Sequence, residues 1–343
     1  MKKKILVLFL ILFLNAFTPV FSKGVLTLNP LQFFHSGAIK EILIASDLVF
    51  NIDADRGLAF KNPGQHFDTA WTGGAIFATL DYLPGNQGTQ QDTLSCTPIN
   101  SNITTSYNRS LQLLTITANS TASISDIQST LRTLKFSTSC SGNEDRIVRI
   151  WVVPSYVIFF HELGDTRLFG MIFESLTGAA LMTYTQARQD IANSPTRFGL
   201  RPYLASIAKT GHVNAYVRLR TLSTDSDDQQ FIGAFKTGSG ATALWYWDPE
   251  SPEAGKAFWK GGKTASGGAN YTLDGLNFSN WVSGQPDNGS EPAVAITSAG
   301  AWHDYPSSAL ERYVVSYGMR SDDANYIRIK FIKHNALKFG HPF

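Results

Sequence analysis

Cysteine and charge are the two things this 343-residue chain is short of. It has two cysteines, Cys96 and Cys140, both in the first half. Two thiols without a cluster of histidines exclude a four-ligand zinc site and a disulfide-dense scaffold. Charged residues make up 16% of the chain, against a usual share of roughly 25%. The formal net charge is only +2, which gives no indication of the broad basic surface that nucleic acid requires. Complete enzyme motifs are also missing. His161 and Glu162 begin a metalloprotease helix, but Asp165 stands where the second histidine belongs. Gly238 and Gly240 lack the third glycine of a dinucleotide loop, and no Gly-x-Ser-x-Gly elbow occurs. An enzyme is therefore not expected.

What the chain does have begins with a leader. Lys2, Lys3 and Lys4 precede an apolar run from Ile5 to Leu14, and small or apolar residues continue to Ser22. That is the pattern of a cleaved signal peptide over residues 1–22. Removing its three lysines turns +2 into −1, so the mature surface is near neutral. No later stretch approaches 18 consecutive apolar residues, so no membrane span is expected after cleavage. No cysteine follows the leader to carry a lipid anchor. The expected location is secreted, periplasmic or at the cell surface. In such an oxidising compartment Cys96 and Cys140 are expected to pair, closing a loop of about 45 residues. Two buried thiols are the alternative.

Hydrophobic residues make up 43% of the chain and glycines number 28, which suits β structure with many turns and more than one core. Residues 24–153 read as an all-β sandwich domain: short apolar or alternating runs at 42–44, 75–78 and 111–117 are separated by Asn, Gly and Ser clusters. Ile124, Ile127 and Leu131 have helical spacing. The run from Arg146 to Val153 alternates and stops at Pro154, the expected boundary. In the second half, residues 184–192 suit a helix with Ala187, Ile191 and Ala192 inward. Residues 212–219 suit another, with Val213, Tyr216 and Val217 inward. Strands are expected at 203–207, 231–234, 294–296 and 313–316, with a long loop region from Trp245 to Asn288. The tail, residues 319–343, stands outside this pattern as an extension, although 326–332 alternates like a strand.

Two resemblances follow from ordered motifs. The strand at 111–117, the turn and helix near Ile124 and Ile127, and the run from Leu131 to Phe136 resemble the cadherin-like and immunoglobulin-like repeats of bacterial surface proteins. That implies a spacer and no chemistry. Residues of about 160–318 resemble a C-type lectin-like domain of the cysteine-free bacterial kind. The motifs are two helices around residues 203–207, the strand at 231–234, Trp245 and Trp247, Pro252 to Gly255, Phe258 and Trp259. Asn280 and Trp281, the stretch Gly284 to Asp287, Glu291, Trp302 to Asp304 and the closing strand at 313–317 complete the order. The resemblance implies an α+β lectin-like fold over 155–318, with two helices and short strands.

It also implies a site. Gln285, Asp287, Glu291, His303 and Asp304 would bind the ligand, and Gln285, Asp287, Glu291 and Asp304 would hold calcium. Calcium takes about six to eight oxygen ligands, and this set offers carboxylate and amide oxygens on a proline-set loop. In the family the Gln-Pro-Asp form goes with galactose-type sugars. His303 departs from the pattern, because it replaces an asparagine and imidazole suits borderline metals better. The implied function is an exported bacterial binding protein for a glycan or a cell-surface ligand. The alternative is a metal-independent protein–protein interaction module, an adhesin or secreted effector. Weaker acidic groups are Asp225, Asp227 and Asp228, which lack the features of a calcium loop, and Asn51, Asp53 and Asp55.

Overall fold

The structure is a computed structural model that describes residues 21–23, 26–28, 31–35, 41–50, 75–82, 92–119, 121–138, 145–153, 157–162, 165–171, 181–194, 200–221, 229–264, 267–287, 290–318 and 326–332. Residues 1–20 of the expected leader, the loops 51–55 and 225–228, Pro154 and Cys140 lie outside the described residues. The described chain is mostly β-sheet with three α-helices. None of those helices is long and apolar enough to cross a membrane. The chain falls into two compact units, Met1–Val152 with Ala324–Phe343, and Val153–Asp323.

In the first unit a six-stranded sheet runs in the order Leu31–His35, Tyr326–Ile332, Arg146–Val153, Ala75–Tyr82, Leu113–Ala118, Ile103–Asn108. A three-stranded sheet joins Glu41–Leu43, Lys135–Thr138 and Asp92–Ser95. Alternation sends one face of each strand inward. Ile76, Ala78, Leu114, Ile116, Val148 and Ile150 of one sheet meet Leu94 and Phe136 of the other in one core. The helix Ile124–Leu131 adds Ile127 and Leu131 to it. Its start is fixed by a capping box, with the Ser123 side chain accepting from the Asp126 backbone N–H. Within the 319–343 tail, the described residues 326–332 are part of the six-stranded sheet. Its strand Tyr326–Ile332 pairs antiparallel with Arg146–Val153 and parallel with Leu31–His35. The reason is burial: Ile327 and Ile329 are fully covered by this core.

Cys96 is a buried free thiol, and the bridge expected with Cys140 is not formed at Cys96. Its Sγ lies 2.7 Å from the Thr130 carbonyl oxygen, to which the thiol donates. Burial pushes the thiol pKa up to about 11, against smaller opposing pulls from Thr133 and the Thr97 backbone.

The second unit holds a ten-stranded sheet. Its centre is Gln229–Thr237, which pairs parallel with Arg312–Tyr317 and antiparallel with Leu244–Trp247 and Ala293–Thr297. Asp165–Met171 pairs with Arg312–Tyr317, so the first and last parts of the unit lie side by side. Helix Tyr184–Asn193 buries Tyr184, Ala187 and Ile191; Ala192, expected inward, is exposed. Helix Thr210–Thr221 buries His212, Ala215, Tyr216 and Leu219. Of the residues expected inward, Tyr216 is buried and Val213 and Val217 are partly buried against the core, while His212, Ala215 and Leu219 complete the inner face. His212 is buried on that side, with its Nε2 bonded to Asp165 at 2.9 Å. Trp245, Trp247, Phe258 and Trp302 fill the core below the loop region.

Candidate functional site

The site begins with a hairpin. Ala293–Thr297 pairs with Trp302–Tyr305, placing Val294 opposite Asp304 and Ala295 opposite His303. Gly300 takes φ +86 at the turn, a conformation that suits glycine. Trp302 is fully buried against Trp247, Phe258 and Trp281, with ring centroids 5.6 to 5.7 Å away. That anchor fixes the strand, and strand alternation then fixes Asp304 on the same face as Trp302.

The Gln285–Asp287 loop is tied to this strand. Trp302 donates its backbone N–H to the Asn280 carbonyl at 2.8 Å, and Val282 donates to the Trp302 carbonyl at 2.9 Å. The Gln285–Pro286 peptide is cis. The Asp287 backbone N–H donates to Asp304 Oδ1 at 3.0 Å. Glu291 is carried in by the next segment, where the Lys236 backbone N–H donates to the Pro292 carbonyl at 2.8 Å.

These constraints bring three of the five expected residues together. Carboxylate oxygens of Asp287, Glu291 and Asp304 lie within 4.8 Å of one another. Asp304 is 3% exposed, whereas Asp287 is exposed. Gln285 is half-buried in the same loop, and its Oε1 is a buried acceptor with no hydrogen-bond partner. His303 is not in the carboxylate group, since alternation turns it to the opposite face of the strand from Asp304. The departure from asparagine at that position therefore brings no imidazole to the carboxylates.

Beside the carboxylates lies a cleft of about 240 Å³ lined by Lys236, Lys263, Trp245, Pro286, Asp287 and Asp304 among others. Neither lysine is marked by any sequence motif; only the fold brings strand Gln229–Thr237 and the turn after Ala257–Lys260 to the same opening. Lys236 Nζ stands 5.2 Å from the Trp245 ring centroid. Burial lowers the Lys236 pKa, while the charges of Asp304 and Glu291 oppose the shift. Tyr305, near the motif, donates its hydroxyl to Glu311 at 2.8 Å. Burial first, and then Glu311, push its pKa up to about 12.

A second polar group is internal. Arg167, 2% exposed, bonds to Glu253 at 2.8 Å, to Ser206 at 3.0 Å and to Asp165 at 2.8 Å. Ser206 also bonds to Glu253. His212 accepts the Ala208 backbone N–H at Nδ1, so its Nε2 carries the proton shared with Asp165. His161 and Asp165 lie on a hairpin, not a helix. This group joins strand, helix and loop.

No protein-family model matches the chain. Halomucin of Haloquadratum walsbyi (strain DSM 16790 / HBSQ001) is 24% identical over 234 residues, 66% of this chain and 2% of that protein. The chain thus spans about 2% of the length of that relative. Among solved structures, human lithostathine aligns over 48% of this chain and 89% of its own, at 14% identity and a TM-score of 0.32. The C-type lectin CEL-I from Cucumaria echinata aligns over 49% and 98%, at 16% identity and a TM-score of 0.30. The mouse scavenger receptor C-type lectin carbohydrate-recognition domain aligns over 48% and 95%, at 12% identity and a TM-score of 0.29.

Proposed function

We propose that the second unit is a C-type lectin-like binding domain of an exported protein, with a cadherin-like first unit as its spacer. Asp287, Glu291 and Asp304, with Gln285, hold calcium and through it a sugar of the galactose type. The observation that carries this reading is the convergence of three carboxylates within 4.8 Å. Oxygens on one calcium at about 2.4 Å are at most about 4.8 Å apart, so the set fits the ion. The unpartnered Gln285 Oε1 supplies a neutral oxygen of the kind calcium also takes. Bound calcium would supply a charge that sugar hydroxyls coordinate.

Calcium titration of the full chain, read by thermal shift, tests the metal. Calcium is expected to raise Tm in the native chain and to leave Tm unchanged in Asp287→Ala and Asp304→Ala. A glycan array with and without chelator tests the sugar; no signal in either condition removes that claim. The second reading is a metal-independent protein-binding module. It is favoured by Lys236, which lines the same cleft and sets a built-in positive charge beside Asp304 and Glu291. Partner capture indifferent to chelator would select it.

A further inference from the structure

We infer that the cleft beside the carboxylates is a subsite for an anionic group, so that the preferred ligand is an acidic sugar with a carboxylate or sulfate next to its hydroxyls. The inference rests on the proposed metal site and names its substrate class. Four charged residues line the cleft: Asp287, Asp304, Lys236 and Lys263. The remaining lining is mostly Gly and Ala, with Trp245 and Pro286 as the larger side chains.

The walls are built in advance of any ligand. Trp245 Nε1 donates to the Gly261 carbonyl at 3.2 Å, and Trp259 Nε1 donates to the Gly262 carbonyl at 3.0 Å. Gly261 in turn donates to the Ala243 carbonyl at 2.8 Å, and Gly268 donates to the Lys263 carbonyl at 3.1 Å. These bonds hold the backbone at Lys263 while its side chain is exposed. On the other wall the Lys236 backbone is held by Pro292. A backbone held in place before the ligand enters adds little ordering cost of its own, so the ordering that remains is that of the lysine side chains.

Charge decides what enters. Asp287, Glu291 and Asp304 against Lys236 and Lys263 leave the metal-free site with one net negative charge. A bound dication reverses that to one net positive charge, and it takes over the carboxylates that otherwise face Lys236. The loaded site then attracts an anion, and low-dielectric walls such as Trp245 strengthen the attraction. Size decides how much enters. A volume of about 240 Å³ lies below the roughly 300–1,000 Å³ of drug-sized ligand sites. It has room for one sugar ring or the charged arm of one.

The test is isothermal titration of the full chain in calcium with galactose, galacturonate and galactose 6-sulfate. Galacturonate or the sulfate is expected to bind about ten-fold tighter than galactose, the worth of one charge-assisted hydrogen bond. The arm that gains more identifies the anionic group. In Lys263→Ala and Lys236→Met the ratio is expected to fall toward one, with folding checked by an unchanged melt in the exposed Lys263 variant. Galactose binding with no acidic advantage overturns the inference and leaves the metal-site reading standing. An acidic advantage that survives both substitutions also overturns it. Calcium uptake with no binding of any of the three sugars overturns both the sugar reading and this one.

Discussion

Asp304 and His303 are neighbours in sequence and point to opposite faces of one strand. That single fact sorts the expected ligand set: Asp304 joins Asp287 and Glu291, and His303 does not. The adjacency was legible, and so was the period of two that separates the pair, once residues 302–305 form a strand. Arg167 was not legible at all. Its partner Glu253 is 86 positions away, and no motif ties them. The buried His212 carries a testable consequence. Burial, only partly offset by Asp165, holds its pKa below the ordinary value. Unfolded, it takes a proton near about pH 6.5; folded, it takes one only at lower pH. The unfolded state therefore binds more protons in that window, and stability falls as pH drops below about 6.5. Asp165 acts in a lower window. Its hydrogen bond from His212 and the Arg167 charge overcome burial and hold its carboxyl well below the usual range. His212→Gln is expected to flatten the decline of Tm between pH 6.5 and 5, and an unchanged slope would sink this account. At Trp302, truncation to Ala empties the centre of the aromatic core and is expected to cost about 3–5 kcal/mol, read by denaturant unfolding.

Among elements, the local ones leave the clearest trace in the sequence. The helices at Tyr184–Asn193 and Thr210–Thr221 follow from apolar spacing, and the first begins at a Thr183 capping box. On the second, apolar spacing finds Tyr216 and the flanking valines but not His212, because a histidine in a helix gives no sign that it will be buried; its partner Asp165 is 47 residues away. The loop region from 245 to 288 carried recognisable tryptophans, but not the hydrogen bonds that shape it. Gly268 shows what those bonds demand. A Cβ there would meet the Gly262 carbonyl oxygen at 1.7 Å, a backbone atom that cannot swing away. The same oxygen accepts from Trp259 Nε1. Gly268→Ala is therefore expected to push the turn outward and lose about 1–3 kcal/mol. Because Gly262 and Lys263 line the cleft, the variant should also weaken acidic-sugar binding more than calcium uptake. Equal losses in both titrations would mean that the turn does not shape the cleft.

On the scale of the whole molecule, two separate cores organise the chain, and the last described strand belongs to the first of them. Alternation made Tyr326–Ile332 recognisable as a strand. Its partner was hidden because Arg146 and Ile329, opposite each other in the sheet, lie far apart in sequence. Strand pairing at such separation leaves no local trace; only burial of Ile327 and Ile329 selects the register. The chain thus leaves the first unit after Arg146–Val153, builds the second, and returns beside the strand it left. Removing the returning strand should uncover Arg146–Val153 on one edge and strip two buried isoleucines from the core. At about 2–5 kcal/mol for each large-to-small loss, that approaches the about 5–15 kcal/mol total stability of a domain. Hydrogen exchange read by peptide can separate the two cores. In a chain ended after Asp323, amides of Ala75–Tyr82 and Arg146–Val153 are expected to lose protection. Those of Gln229–Thr237 and Arg312–Tyr317, whose core contains neither isoleucine, are expected to keep it. The single substitution Ile329→Ala should weaken the same first set without abolishing it. Protection retained across both sets in the shortened chain would show that the first core closes without its returning strand.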